Sequence, residues 1–203
     1  MKKYFVLAAL IAAAQIASGQ TVSVGALGGV PVTDTTGYSD QSRPYIVGGS
    51  VEVQLPAGFA LEANALYRRV GNTTYSGIAS GTGSGLFIIR ERGNSWEFPL
   101  LGKYYFRRTS GWQPFLGTGF AFRTVEVKDS GNLVTTNASG SPQTVLVEGT
   151  FREPLEVGAT VAGGVRFHYR RLAVLPQVRY TRWGGTSAVV RSNETSFLLG
   201  LMF

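Results

Sequence analysis

From Val22 to Phe203, apolar side chains recur at every second position in eight separate stretches. A period of two is the signature of a β-strand with one apolar and one polar face. Val22, Val24, Ala26, Val30 and Val32 share one parity. So do Tyr45, Val47, Val51, Val53 and Leu55, and then Phe59, Leu61, Ala63, Ala65 and Tyr67. Trp96, Phe98, Leu100, Tyr104 and Phe106 make a fourth set; Trp112, Leu116, Phe120 and Phe122 make a fifth. Leu155, Val157, Ala159, Val161, Val165 and Phe167 follow, then Leu172, Val174, Val178 and Tyr180, and last Phe197, Leu199, Leu201 and Phe203. After Gln20 no stretch places apolar residues at i, i+3, i+4 and i+7, as an amphipathic helix would. The pattern predicts eight strands of about ten residues, the length a tilted strand needs to cross a bilayer.

The connections alternate in length. Long ones run from Thr33 to Arg43, Gly71 to Asn94, Thr124 to Glu153 and Trp183 to Asn193. Between them lie short ones: Leu55-Pro56-Ala57-Gly58, Arg107 to Gly111, and Arg170-Arg171. An up-and-down sheet shows this asymmetry when its two ends face different compartments. Gly81 to Gly85 and Asn132 to Thr144 are of low complexity and read as loop tips.

Residues 1–19 read as an exported chain's address. Lys2 and Lys3 form a positive start, Tyr4 to Ala14 is apolar but too short to span a bilayer, and Ala17-Ser18-Gly19 is a small-x-small cleavage site. The expectation is a cleaved signal peptide over 1–19 and one domain over 20–203. Removing it takes two lysines and no acid from a formal charge of +7 and leaves +5. The arginines are scattered over strand ends and turns, so the high pI does not predict a nucleic-acid partner. With no cysteine, thiol catalysis, disulfides and cysteine-metal sites are excluded.

Alternation does not by itself say which face is inside. Charged residues are only 15% of the chain, against about 25% in soluble domains. The polar face is mostly Gly, Ser, Thr, Ala and Gln, which suits the crowded interior of a narrow tube better than a water-exposed wall. Aromatic residues gather toward the ends of the apolar face: Tyr67 and Trp96 at the long-connection end, and Phe59, Tyr104, Phe106, Trp112 and Phe203 at the short-turn end. Two such bands flank the lipid-facing belt of membrane barrels. In hydrocarbon every backbone donor and acceptor needs a partner, so the strands must close into a ring, the first pairing with the last. Pro99, Pro114 and Pro176 fall inside predicted strands, where each removes a ladder hydrogen bond. Bulges or local register shifts are expected there.

Glu52, Glu62, Glu97, Lys103, Glu156, Arg166 and Arg179 share the inward parity. Unpaired charges in a dry lumen are costly, so these predict a network of ion pairs that plugs the tube. A switchable gate built from the same pairs is the alternative. Leu27, Phe115 and Leu175 are the apolar residues of that face.

Catalytic patterns are missing. His168 is the one histidine and stands beside the Arg170-Arg171 turn, with no neighbouring serine. It reads as a lumen or turn residue. There is no Gly-x-Ser-x-Gly elbow, and Gly81-Thr82-Gly83 lacks a strand-helix context. Neither enzyme activity, nor a cofactor, nor a metal site is expected.

The chain ends on Phe203, preceded at alternate positions by Leu201, Leu199 and Phe197, and Trp96-Glu97-Phe98-Pro99-Leu100 leads into Lys103-Tyr104-Tyr105-Phe106. In these features the chain resembles the small bacterial outer-membrane β-barrels of the OmpA transmembrane-domain, OmpX and OmpW type. The resemblance implies a closed, eight-stranded, antiparallel up-and-down transmembrane barrel. It also implies that Phe197, Leu199, Leu201 and Phe203 form the signal read by the barrel-assembly machinery, and that the long connections are extracellular. Arginines collect at that end, and a guanidinium fork suits phosphate. Arg68, Arg69, Arg123 and Arg182 are therefore the candidates for contact with lipopolysaccharide. The functional expectation is a monomer in the outer membrane with a plugged lumen and a structural or interactive role, presenting the segments 71–94 and 124–153 to an unknown extracellular partner. A narrow channel for small or apolar solutes, of the OmpW kind, is the first alternative. A lipid-modifying enzyme comes next, and a soluble secreted carrier last.

Overall fold

The computed structural model describes residues 21–32, 45–80, 83–106, 111–136, 142–185 and 192–203. The predicted signal peptide and the connection from Thr33 to Arg43 lie outside them. Nine strands follow in chain order: β1 (Val22–Pro31), β2 (Ile46–Gln54), β3 (Phe59–Ser80), β4 (Gly83–Tyr105), β5 (Trp112–Thr136), β6 (Pro142–Arg152), β7 (Glu156–Tyr169), β8 (Leu172–Trp183) and β9 (Asn193–Met202). Each pairs antiparallel with its neighbours, and β1 pairs with both β2 and β9, which closes the ring. At the seam the Val24 and Phe203 backbones exchange hydrogen bonds of 3.2 and 2.9 Å.

The ring has eight places. β5 pairs with β7 along Trp112–Arg123 and with β6 along Glu126–Thr136, so β6 and β7 are two segments of one barrel position. Glu153–Leu155 separates them. Pro154 stands in that break, and its missing N–H is a local reason for the ladder to stop.

The two long segments read as loops are largely strand. β3 continues to Ser80 and pairs with β4 as far as Ser80↔Gly83; β5 continues to Thr136 and pairs with β6 as far as Thr136↔Pro142. Once a register is set, each added rung satisfies two residues' backbone groups, and glycine content does not prevent it. Gly83–Gly85 and Asn132–Thr136, expected at loop tips, are strand residues. These ladders carry four strands, in the order β3-β4-β5-β6, beyond the rest of the ring.

The prolines produce no register slip. β4 and β5 keep one register from Leu86↔Val134 to Tyr105↔Phe115, with Pro99 opposite Ala121. The cost appears on the other side. The β3–β4 ladder passes from Ala63↔Leu100 to Leu66↔Glu97 without the two rungs between. Likewise β7–β8 passes from Gly164↔Gln177 to Phe167↔Val174, and Pro176 lies in the gap. Pro114 sits at the rim, where its carbonyl accepts from the Phe106 N–H at 3.0 Å.

The apolar parity faces outward. Leu61 is 55% exposed, Leu100 51% and Leu199 50%, whereas Glu52 is fully buried and Arg166 is 1% exposed. Inward glycines let the strands bend round so small a circle. A side-chain carbon on Gly119 would lie 1.9 Å from the Leu100 carbonyl oxygen.

Candidate functional site in the barrel interior

Because every inward residue belongs to a strand of the ring, opposite walls can meet across the lumen. Among the described residues ten charges are buried there: Glu52, Glu62, Glu97, Glu156 and Glu194 against Arg68, Lys103, Arg123, Arg166 and Arg179. Five carboxylates and five cations balance. They form two networks at different heights.

The lower network lies toward the end that carries Val22 and Phe203. Glu52 on β2 and Glu62 on β3 are direct cross-strand partners, a like-charge pairing that destabilises a sheet unless something intervenes. Lys103 on β4 intervenes. Its Nζ is 3.1 Å from Glu52 Oε2 and also contacts Glu62 Oε2. From the far wall, Arg166 Nη1 reaches Glu52 Oε1 at 2.7 Å and Arg179 Nη2 reaches Glu62 Oε1 at 3.0 Å. Tyr105 donates to both Glu52 oxygens at 3.0 and 2.8 Å, and Asn64 donates to Glu62 at 2.8 Å. Ser23 accepts from Arg166 at 3.2 Å. The Lys103 ammonium also stands 4.3 Å above the Phe115 ring, a cation–π contact in a desolvated site.

The upper network joins β3, β4, β5, β7 and β9. Arg68 lies 3.4 Å from Glu97 and 3.0 Å from Glu194. Arg123 donates through Nε to Glu156 at 2.7 Å and through Nη2 to the same oxygen, and approaches Glu194 at 3.8 Å. Its guanidinium lies 4.2 Å above the Trp183 ring. All seven inward charges read from parity are thus buried and paired.

Two of the four arginines expected to reach lipid phosphate point the other way. Arg68 is 6% exposed and Arg123 fully buried, both within the upper network, so neither can touch a ligand outside the wall. Their parity already said so: Arg68 alternates with Tyr67, and Arg123 lies opposite Phe122 and Phe120. Arg69 and Arg182 are exposed on the outer face. Glu194 was missed, although Phe197 and Leu199 fix the outward parity of β9 and place Glu194 inward.

Leu27 packs with Ile46, Leu66 and Leu198; Phe115 with Ala60, Leu101, Tyr105 and Ala162; Leu175 with Ala173 and Met202. Apolar contacts therefore sit beside the charged groups, with Phe115 against Lys103 and Tyr105 against Glu52. His168 is exposed on β7 opposite Ala173, and its backbone N–H donates to the Gly111 carbonyl at 3.0 Å. Phe197, Leu199, Leu201 and Phe203 all face outward.

The chain is similar to small β-barrels of known structure. One is the N-terminal β-barrel domain of Pseudomonas aeruginosa OprF, with 14% identity, 90% of this chain and 95% of that chain covered, and a TM-score of 0.48. Another is Neisserial surface protein A, with 14% identity, coverages of 91% and 96%, and a TM-score of 0.40. A third is Ail, the attachment invasion locus protein of Yersinia pestis, with 9% identity, coverages of 90% and 95%, and a TM-score of 0.43. No protein-family model matches the chain, and no curated protein sequence matches it significantly.

Proposed function

We propose that this chain is an integral barrel of a bacterial outer membrane, that its lumen is plugged by ion pairs, and that its role is structural or interactive. The observation that carries the membrane reading is the inversion of the usual soluble pattern. Leucines, valines and aromatics cover the outer wall, while charges occupy the interior. Monomeric soluble proteins rarely expose contiguous apolar surface beyond a few hundred Å². A bilayer removes that cost, and a closed ring leaves no unpaired edge in hydrocarbon.

The aromatic levels fit a bilayer's dimensions. The rings of Phe59 and Tyr104 pack with centres 5.1 Å apart near one end, and those of Tyr67 and Trp96 with centres 5.2 Å apart near the other. Eight residues of β3 separate the two levels, about 27 Å along the strand and about 20 Å along the axis at the usual tilt of about 40°. The apolar band of such barrels is about 25 Å tall. Tyr67 and Tyr180 each donate to an asparagine further along, Asn94 at 2.8 Å and Asn193 at 2.9 Å. Their rings stay in the apolar band while their hydroxyls meet polar groups, the arrangement of interfacial tyrosines.

The plug rests on the two networks. Each spans the bore, and an eight-stranded tube is only wide enough for its own side chains. The strands projecting beyond the ring, β3 to β6, are the surface offered to a partner, and assembly would use the outward row Phe197, Leu199, Leu201 and Phe203. The test has two parts. Extracted from membranes and run unboiled, the folded protein should migrate differently from the boiled one. In planar bilayers it should show no steady large conductance; a sustained open level would overturn the plug and favour the narrow channel.

A further inference from the structure

On the outer face of β4, β5 and β6 lies a groove of about 470 Å³, lined by Arg92, Lys128, Ser130, Glu148, Gly149 and Thr150. Arg92 and Lys128 are direct cross-strand partners, and both are exposed. Like charges placed directly opposite destabilise an antiparallel pair unless an anion lies between them. Thr150 is the next residue across the ladder from Lys128, and Ser130 follows along β5, so two hydroxyls flank the two cations. Of the carboxylates on this face, Glu126 is held by Arg152 at 3.0 Å. Glu148 lines the groove as the cross-strand partner of Ser130, two residues along the ladder from the Lys128–Thr150 pair, and leaves the two cations in excess by one charge.

The height of the groove selects the ligand. Arg92 stands four residues of β4 beyond Trp96, about 13 Å along the strand and about 10 Å along the axis. If the Tyr67–Trp96 contact marks the edge of the hydrocarbon, the cations lie at the level of lipid headgroups. Arg69, exposed opposite Asn94, lies lower on the same face and widens the positive surface.

We infer that this groove binds the phosphate of a phosphorylated saccharide lipid in the leaflet around it. Arg92 supplies a planar fork, Lys128 a point charge, and Ser130 and Thr150 supply neutral donors. The inference rests on the membrane reading above and moves the lipid contact from Arg68 and Arg123 to a site outside the wall.

The experiment uses the full barrel, refolded into phosphatidylcholine vesicles. The vesicles carry a small share of a bisphosphorylated glucosamine-disaccharide lipid or of its dephosphorylated form. Lipid retained after detergent extraction is read by native mass spectrometry. The unaltered protein should keep the phosphorylated lipid, and R92Q/K128Q should keep about tenfold less. Arg152→Gln, which alters a neighbouring cation outside the groove, should keep as much as the unaltered protein. A heat-dependent gel shift shows that each variant is folded and inserted. Folded barrel with no preference for phosphorylated lipid, or a double variant that retains it fully, overturns the inference alone. Displacement of the lipid by inorganic phosphate at low concentration would assign the groove to a soluble anion and also overturn it. Failure of the unaltered protein to insert would overturn the membrane reading and the inference with it.

Discussion

Glu52 and Glu62 face each other across the β2–β3 ladder and share the Lys103 ammonium between them. Neither carboxylate is solvated, so the lysine is the element that makes the pairing tolerable. Lys103→Met keeps the stem and removes the charge. Breaking a buried ion pair by deleting one partner costs about 3–5 kcal/mol. The urea midpoint of the folded barrel in vesicles should fall accordingly. Adding Glu62→Gln to the same chain should recover part of the loss, because one unpaired charge is gone. Equal midpoints for the unaltered protein and Lys103→Met would show that the network adds nothing to stability.

Arg123 and Glu156 are cross-strand partners at the top of the β5–β7 ladder, joined by two hydrogen bonds. Arg123→Met, Glu156→Gln and the double change form a cycle. Coupling between contacting charged residues runs to about 0.5–3 kcal/mol. The upper half of that range is expected, since the arginine is fully buried. A coupling near zero would mean that the guanidinium is held by its other contacts, Glu194 and the Trp183 ring among them.

Most of the barrel was legible because an apolar outer wall around a polar interior writes itself in a strict period of two. Parity put Glu62 and Arg166 on one face and Leu61 and Leu199 on the other, and the scarcity of charge and the aromatic bands said which face was inward. Legibility failed where composition was allowed to outrank parity. Glycine and serine around 71–94 suggested loop, yet a hairpin ladder needs backbone groups rather than side chains. Arg68 and Arg123 were assigned by their position near the strand ends, although Tyr67 and Phe122 beside them fix the opposite face. The groove was not legible at all. Arg92, Lys128 and Thr150 become neighbours only through registers that no local pattern specifies.

The outward and inward tryptophans offer a direct test of membrane placement. The chain has three: Trp96 and Trp112, each 44% exposed, and Trp183, 3% exposed and stacked against Arg123 inside. In single-tryptophan variants with the others changed to Phe, brominated acyl chains should quench Trp96 and Trp112 and spare Trp183. Quenching of Trp183 alone, or of none, would contradict a lipid-facing outer wall.

Gly119 and Gly49 separate steric need from mere presence. Gly119 faces inward, and a side-chain carbon there would overlap the Leu100 carbonyl of the neighbouring strand. Gly49 faces outward with open space around the same position. Gly119→Val therefore forces β4 and β5 apart at a point where the ring is tightly bent. No local shift of a flexible side chain can relieve it, because the atom in the way is backbone. The expected result is loss of the heat-modifiable species on refolding into vesicles, while Gly49→Val refolds like the unaltered chain and gains β-propensity. Normal refolding of Gly119→Val would mean that the strands are less closely curved at this level than their glycines require.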